Sequence, residues 1–300
     1  MKSLMRKALG IGSLLAPIWY AIYAWPQSDE AMPFFEKNRT RPYNIAHRGG
    51  AALAPEETLE AFAKADEAGA DMFEYDVHIT KDGHLIASHD PTVDRITTGT
   101  GYINEMTLED IKSLDAGAKF IDSDGNHPYQ GQTVQLATVE EIFLLFPRKK
   151  AVIELKDTNN PALYEEMIQE MWRLIQQYHM EDKVIVASFD HKINQRFKEI
   201  SEGRVAIGAG ESEATSYLTK MMLKLNGIAH TDAEAFQLPL EQHGLDLTQK
   251  NIIEGSRKRG IAVYYWTIND EATMRELIRK DVDGIMTDNP EMLGRVLDEL

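Results

Sequence analysis

Four short polar groups each follow or close an apolar run: His47-Arg48-Gly49, Glu74-Tyr75-Asp76, His89-Asp90 and Glu154-Leu155-Lys156. Imidazole titrates near working pH, so His47 and His89 are candidates for a general acid and a general base. Glu74 and Asp76 lie two apart on an extended run, which puts their side chains on one face, able to grip one cation. Glu154 from another run completes an oxygen-rich set suited to Ca²⁺ or Mg²⁺. Arg48 and Lys156 flank that set and can neutralise phosphate oxygens, Arg as a planar fork and Lys as a point charge. Together these types are what metal-assisted phosphoryl chemistry requires. A single histidine at a strand end would mean little; the ordered set of seven carries the reading.

The elements that must position them are legible from hydrophobic runs. Strands are expected at 43–46, 72–78, 85–88, 151–155, 184–188, 205–207, 235–238, 262–266 and 284–286. Amphipathic helices are expected at 58–68, 138–146, 162–178, 192–200, 248–259 and 271–280, and Thr138 with Glu141 makes a capping box. Repeated strand–helix alternation predicts an α/β fold, a TIM-type (β/α)8 barrel over residues 43–300, and in such a barrel catalysis sits at the C-terminal strand ends. No G-x-G-x-x-G follows the first strand, which removes the main support for a dinucleotide fold. Lys81-Asp82-Gly83 interrupts the pattern after Asp76 and is compatible with a hairpin or with a compact crossover. In the hairpin case Asp76 falls roughly opposite His89.

Of 300 residues, 43% are hydrophobic and 27% charged, an ordinary globular balance. A net charge of −16 argues against nucleic acid as a partner, because a phosphate backbone demands a basic footprint. The absence of cysteine excludes disulfides, thiolate nucleophiles and Cys-based zinc sites. The first 26 residues differ from the rest. Lys2, Arg6 and Lys7 precede an uncharged run from Ala8 to Trp25 whose far end carries Trp19, Tyr20 and Tyr23. This reads as an uncleaved transmembrane anchor with its N-terminus in the cytoplasm and the body outside, joined by a linker at 27–42. A cleaved leader and a secreted body are the alternative, although Ile22 fits the small-residue rule poorly for a cut after Ala24. Tyr217–Leu225 mixes apolar residues with lysines and reads as an ordinary barrel helix, the alternative being a segment resting on lipid. His78, His84, His191 and His243 read as solvated.

The ordered set His47-Arg48-Gly49, Pro55-Glu56-Glu57-Thr58, Glu74-Tyr75-Asp76, Thr80-Lys81-Asp82-Gly83, His89-Asp90, Glu154-Leu155-Lys156, Ser188-Phe189-Asp190, Trp266-Thr267-Ile268-Asn269 and Thr287-Asp288-Asn289-Pro290 resembles the glycerophosphodiester phosphodiesterase family. The resemblance covers everything from about residue 43 onward. It implies a TIM-type barrel, hydrolysis of glycerophosphodiesters to an alcohol and glycerol 3-phosphate, and a divalent cation. It also implies that His47 and His89 form the acid–base pair, that Glu74, Asp76 and Glu154 hold the metal, that Arg48 and Lys156 hold the phosphate, and that Trp266 lines the substrate cleft. The nucleophile is expected to be water, or a neighbouring glycerol hydroxyl that gives a cyclic phosphate which water then opens. Alternatives are lysophospholipase D or phospholipase-C-like action on membrane lipids or glycerophosphate polymers, and a non-catalytic binding barrel. One departure stands beside the motif: the family usually has Asn where this chain has Glu57, leaving Glu57 to bind a second cation or to point away.

Overall fold

The computed structural model describes residues 32–36, 39–225 and 228–300. The expected anchor lies outside them, and among the described residues no helix is long and apolar enough to cross a membrane. Eight parallel strands surround one axis: β1 (Tyr43–Ala46), β2 (Met72–Ile79), β4 (Lys150–Leu155), β5 (Val184–Ala187), β6 (Ala206–Ile207), β7 (Ala235–Leu238), β10 (Ala262–Tyr265) and β11 (Gly284–Thr287). The hydrogen-bonded path runs β6-β5-β4-β2-β1-β11-β10-β7, and a parallel bridge from Gly208 to Ala235 brings its two ends together. This is a nearly closed (β/α)8 barrel, in which neighbouring strands need a crossover because parallel pairs cannot be joined by a tight turn.

Most crossovers are the helices expected from the sequence: α1 (Leu59–Glu67), α3 (Val139–Leu145), α4 (Tyr164–Tyr178), α5 (His191–Ile200), α7 (Lys250–Arg257) and α8 (Glu271–Arg279). Thr58 and Thr138 cap the first two by accepting from the amides of Ala61 and Glu141, and the capping box at Thr138 is closed on both sides. Two helices went unread, α2 (Leu108–Lys112) and α9 (Pro290–Asp298), and α6 (Glu211–Met222) starts six residues before the barrel helix expected at Tyr217–Leu225. Tyr217, Leu218 and Met221 on α6 are buried against the barrel, so this stretch is a barrel helix and not a segment resting on lipid.

The connection after β2 is a hairpin. β3 (Leu85–Ala87) returns antiparallel to β2, with Val77 opposite Ala87 and Ile79 opposite Leu85. The register places Ser88, one residue before His89, against Asp76, whose carbonyl accepts from the Ser88 amide at 2.9 Å. A second hairpin, β8 (Glu241–Gln242) with β9 (Leu245–Asp246), rises beyond β7.

Alternation along the strands separates two cores. Phe73, Tyr75, Ile153 and Val186 face outward onto the helices. Ile45, Met72, Val152, Ile185, Tyr264 and Met286 face inward and fill the lower barrel. Phe34 joins this interior cluster and is 1% exposed, so the end of the expected linker is in fact a plug at the barrel floor. Lys150 fastens it by donating to the Phe34 carbonyl at 2.7 Å and to Glu36 Oε1 at 3.0 Å. Above the apolar layer the inward positions turn polar, which is where the candidate site begins.

Candidate active site

The inward sequence along β2 reads Met72, Glu74, Asp76, His78, and along β4 Val152, Glu154, then Lys156 just past its end. Asp76 pairs in register with Glu154, so the carboxylates of two adjacent strands stand side by side. His47 and Arg48 leave the end of β1 in a tight turn in which Arg48, Gly49 and Gly50 all adopt left-handed φ values of 50°, 78° and 91°. Glycine tolerates this conformation at no steric cost, and a Cβ on Gly49 would also press on the Phe62 ring at 3.0 Å. The turn aims the Arg48 amide at Glu74 Oε2, which accepts from it at 3.0 Å. A cavity of about 260 Å³ opens over this rim, and His47, Arg48, Glu74, Asp76, His89, Glu154, Lys156 and Trp266 all line it. All eight residues singled out from the sequence therefore meet in one place.

Its charges are crowded. Lys156 Nζ lies 2.9 Å from Glu154 Oε1 and 3.2 Å from Asp76 Oδ1, and Arg48 Nε lies 3.6 Å from Asp76 Oδ2. Burial, and then repulsion from Asp76, push the Glu74 carboxyl up to about 7 and that of Glu154 up to about 8. Among the described residues no three His, Asp or Glu side chains are already gathered at ligating distance. The donor set nevertheless suits a hard divalent cation. It consists of oxygen alone, from adjacent strands, and the pKa of two of its members is raised by burial and then by a repulsion that such a cation would relieve.

Each histidine is oriented by a carboxylate. His47 Nδ1 lies 2.6 Å from Asp288 Oδ1, just beyond β11. Asp288 is itself held by Asn269, which donates to Oδ2 at 2.6 Å and accepts from the Asp288 amide at 2.9 Å. Burial opposes a charge on His47, but the Asp288 hydrogen bond and the nearby Glu74 charge outweigh it and raise its pKa. His89 Nδ1 lies 2.7 Å from Asp90 Oδ1, and Arg95 joins Asp90 to Glu56, which receives Arg48 Nη1 at 3.1 Å. Glu56 thus belongs to an ion-pair chain linking His89 to Arg48.

Asp288, Asn269, Asp90, Arg95 and Glu56 had no assigned role in the sequence reading. The available signal was the Thr287-Asp288-Asn289-Pro290 run closing the last strand. Its Asn289 caps α9, leaving Asp288 as the polar residue free to face the site.

The expectation for the remaining histidines needs correcting in part. His78 is not solvated. It is 2% exposed, with Nδ1 2.9 Å from the Ser88 carbonyl and Nε2 3.1 Å from Thr158 Oγ1. Burial lowers its pKa to about 4, so it is neutral, donates from Nδ1 to the carbonyl, and seats the residue that precedes His89. His191 is half-buried against Glu213 at 2.8 Å, whereas His84 and His243 are exposed as read. Glu57 takes the second of its two alternatives and points away from the cavity, which it does not line. It lies fully buried behind the rim, where Oε1 accepts from the Asp76 amide at 3.1 Å. Its φ of 62° lies in the left-handed region, where asparagine is far more at ease than glutamate, so the departure places a strained residue there. Burial, with Asp76 and Glu74 nearby, raises the Glu57 carboxyl well above its usual range.

Residues 47–292 match the glycerophosphoryl diester phosphodiesterase family. The chain belongs to it. It is 35% identical over 253 residues to the glycerophosphodiester phosphodiesterase of Caldanaerobacter subterraneus, covering 83% of this chain and 95% of that one. Human lysophospholipase D GDPD1 is 26% identical, covering 86% of this chain and 87% of the relative. Among solved structures, an Oleispira antarctica phosphodiesterase in complex with the product sn-glycerol-3-phosphate superimposes with a TM-score of 0.70 at 26% identity, covering 86% of this chain and 97% of the other. The protein is therefore a phosphoric diester hydrolase of the glycerophosphodiester phosphodiesterase type, carried on a TIM-type barrel.

Proposed function

We propose that this phosphodiesterase cleaves the bond between a glycerol 3-phosphate unit and its alcohol with His47 and His89 as acid–base pair and with a divalent cation, Ca²⁺ or Mg²⁺, held by Glu74, Asp76 and Glu154. The observation that carries the reading is the convergence of two carboxylate-oriented histidines, two cations and three carboxylates on one cavity. The product held by the Oleispira relative supports glycerol 3-phosphate as the retained unit. When bound, the cation supplies Lewis-acid polarisation of a phosphoryl oxygen. Arg48 and Lys156 hold the remaining phosphate charge, and both are already fixed by ion pairs, so little reorganisation accompanies the reaction. The raised pKa of His47 suits it to protonate the leaving alkoxide, which leaves His89 to take the proton from the nucleophile. Phe189, Leu238, Pro239 and Trp266 form the apolar wall and suit the carbon skeleton of the alcohol.

The human relative's lysophospholipase D name favours a second substrate class, lysophospholipids, for the same chemistry. For location, the basic start and uncharged run of the first 26 residues support a membrane-anchored enzyme with its barrel outside the cytoplasm, or a secreted one if the segment is cut.

The test is turnover of glycerophosphocholine and lysophosphatidylcholine side by side, with products followed by ³¹P NMR. His47→Ala and His89→Ala should each lower kcat by about two to four orders of magnitude. EDTA should abolish activity, and Ca²⁺ or Mg²⁺ should restore it. A histidine variant with near-normal kcat sinks the acid–base assignment, and indifference to chelation removes the cation.

A further inference from the structure

The entry point of the chain and the mouth of the site lie at opposite ends of the barrel. Phe34 and its neighbours close the floor, beside the starting residues Tyr43 and Ala262, whereas the cavity opens beyond the strand ends between Phe189, Gln242 and Trp266. The floor attachment is held by several contacts. Besides the Lys150 clamp, Arg39 stacks on the Tyr43 ring at 3.5 Å and pairs with Asp71, whose Oδ2 also accepts from the Asn44 amide at 2.8 Å.

Seven peptide steps separate Trp25 from Met32, and fully extended they reach at most ~25 Å. The eight residues of β2 alone span about 26 Å along a strand tilted by roughly 36°, or about 21 Å of barrel height. The plug below and the rim above raise that to roughly 30 Å. A tether this short cannot carry the mouth round to the surface from which it springs.

The charge pattern agrees. Every βα crossover starts at the mouth and ends at the floor. Acidic residues sit in first turns, as at Glu165, Glu211 and Glu271, and basic ones in last turns, as at Lys198, Arg257 and Arg279. Such placement complements the helix dipoles. It also turns an acidic face to the mouth, in a chain whose net charge is −16, whereas the basic residues of the floor are paired with acidic ones, Arg39 and Arg41 with Asp71, Lys150 with Glu36 and Arg257 with Asp281 and Asp283. An anionic bilayer repels the mouth.

We propose that the enzyme stands floor-down on the bilayer that holds its N-terminal segment, with the catalytic mouth facing away. Its substrates then arrive from the aqueous side, as soluble glycerophosphodiesters or as phosphodiesters presented by an opposing surface, rather than as lipids of its own bilayer. The inference rests on the anchor reading of residues 8–25 and deepens the substrate assignment.

The absence of native cysteine makes single-cysteine reporters clean. Full-length protein is reconstituted in phosphatidylcholine–phosphatidylglycerol vesicles carrying a headgroup energy acceptor, with a donor dye at Lys258→Cys on the floor or Leu245→Cys on the mouth hairpin. Both sites are exposed and neither contributes to the catalytic machinery. Strong quenching at position 258 with little at 245 is expected. Equal or reversed quenching, or protein that stays in the supernatant, overturns the orientation. In the same vesicles, glycerophosphocholine should be cleaved as fast as by detergent-solubilised enzyme. A lysolipid in a second vesicle population should be cleaved at least as fast as one in the enzyme's own bilayer. Preference for the own bilayer overturns the proposal. Zero turnover of every substrate would sink the phosphodiesterase mechanism while the quenching still decides the orientation.

Discussion

Replacing Asp288 by Asn isolates what a single carboxylate does for His47. The substitution keeps the volume and the backbone amide that donates to Asn269 Oδ1, so the end of β11 should hold its shape. It removes a charge that lies 2.6 Å from His47 Nδ1. An amide cannot serve both old partners. If its oxygen faces His47, its NH₂ meets the NH₂ of Asn269; if its oxygen faces Asn269, its NH₂ drives His47 into the opposite tautomer. A charge-assisted hydrogen bond contributes ~1.5–3 kcal/mol, which at 1.36 kcal/mol per tenfold predicts a loss of about 10- to 150-fold in kcat. Loss of the carboxylate also lowers the His47 pKa. If His47 works as a protonated acid, the alkaline limb of the kcat profile moves to lower pH. The assay is kcat and KM against pH for wild type, D288N, H47A and the double variant, with thermal melts to confirm folding. The double variant should be no worse than H47A, because Asp288 acts only through His47. Two results refute the reasoning: an alkaline limb that stays put in D288N, or a double variant that loses the sum of the single effects.

The same physical account reaches stability. Glu74 and Glu154 have folded-state pKa values of about 7 and about 8, above the ordinary 4.5. A raised carboxyl contributes stability that is fully present below pH 4.5 and is lost as pH rises through the folded value. Chelated protein should therefore melt at progressively lower temperature from pH 5 to pH 8, and Ca²⁺ or Mg²⁺ should flatten that slope; a Tm that climbs over this range without cation contradicts the crowding. Glu57→Gln keeps the shape and an acceptor for the Asp76 amide while removing a buried carboxyl whose pKa is raised well above its usual range. It should raise Tm at pH 8 and leave kcat within a few-fold of wild type, and a lower Tm at pH 8 would show that Glu57 is charged in the native state. Phe34→Ala empties the floor plug and should cost ~3–5 kcal/mol by urea titration. Its kcat at permissive temperature should match wild type, since the plug lies at the opposite end from the cavity.

Much of this architecture could be read before any coordinates because barrel strands carry strong local signals. Each predicted strand appears within a residue or two, and the period of two that made Glu74 and Asp76 neighbours also put Glu154 and Lys156 on the matching face of β4. Hairpin register was one residue out, because Asp82-Gly83 marks where the chain turns without fixing how many residues the turn uses. Helix α9 was missed because its Pro290 start reads as a breaker, although proline suits the first helical turn. His78 was misjudged because its burial comes from Thr158 and the Ser88 carbonyl, contacts that no local pattern announces. The orienting partners of the histidines divide the same way. Asp90 is adjacent to His89 in sequence, whereas Asp288 reaches His47 from the far end of the chain only because β1 and β11 are neighbours when the barrel closes.

That closure also explains why the site can hold so many like charges. Glu57, Glu74, Asp76 and Glu154 are buried within two strands and one turn, and unpaired they would oppose folding strongly. The chain counters them in three ways. Lys156 stands between Asp76 and Glu154, the left-handed turn at Arg48 presents a backbone amide to Glu74, and burial raises the Glu57 carboxyl well above its usual range, which favours its neutral form. The compensation is incomplete, as the raised carboxyls of Glu74 and Glu154 show. Residual repulsion of this kind favours any ligand that brings two positive charges to the carboxylates. All three carboxylates stay on the cavity wall, where the proposed cation would relieve that repulsion.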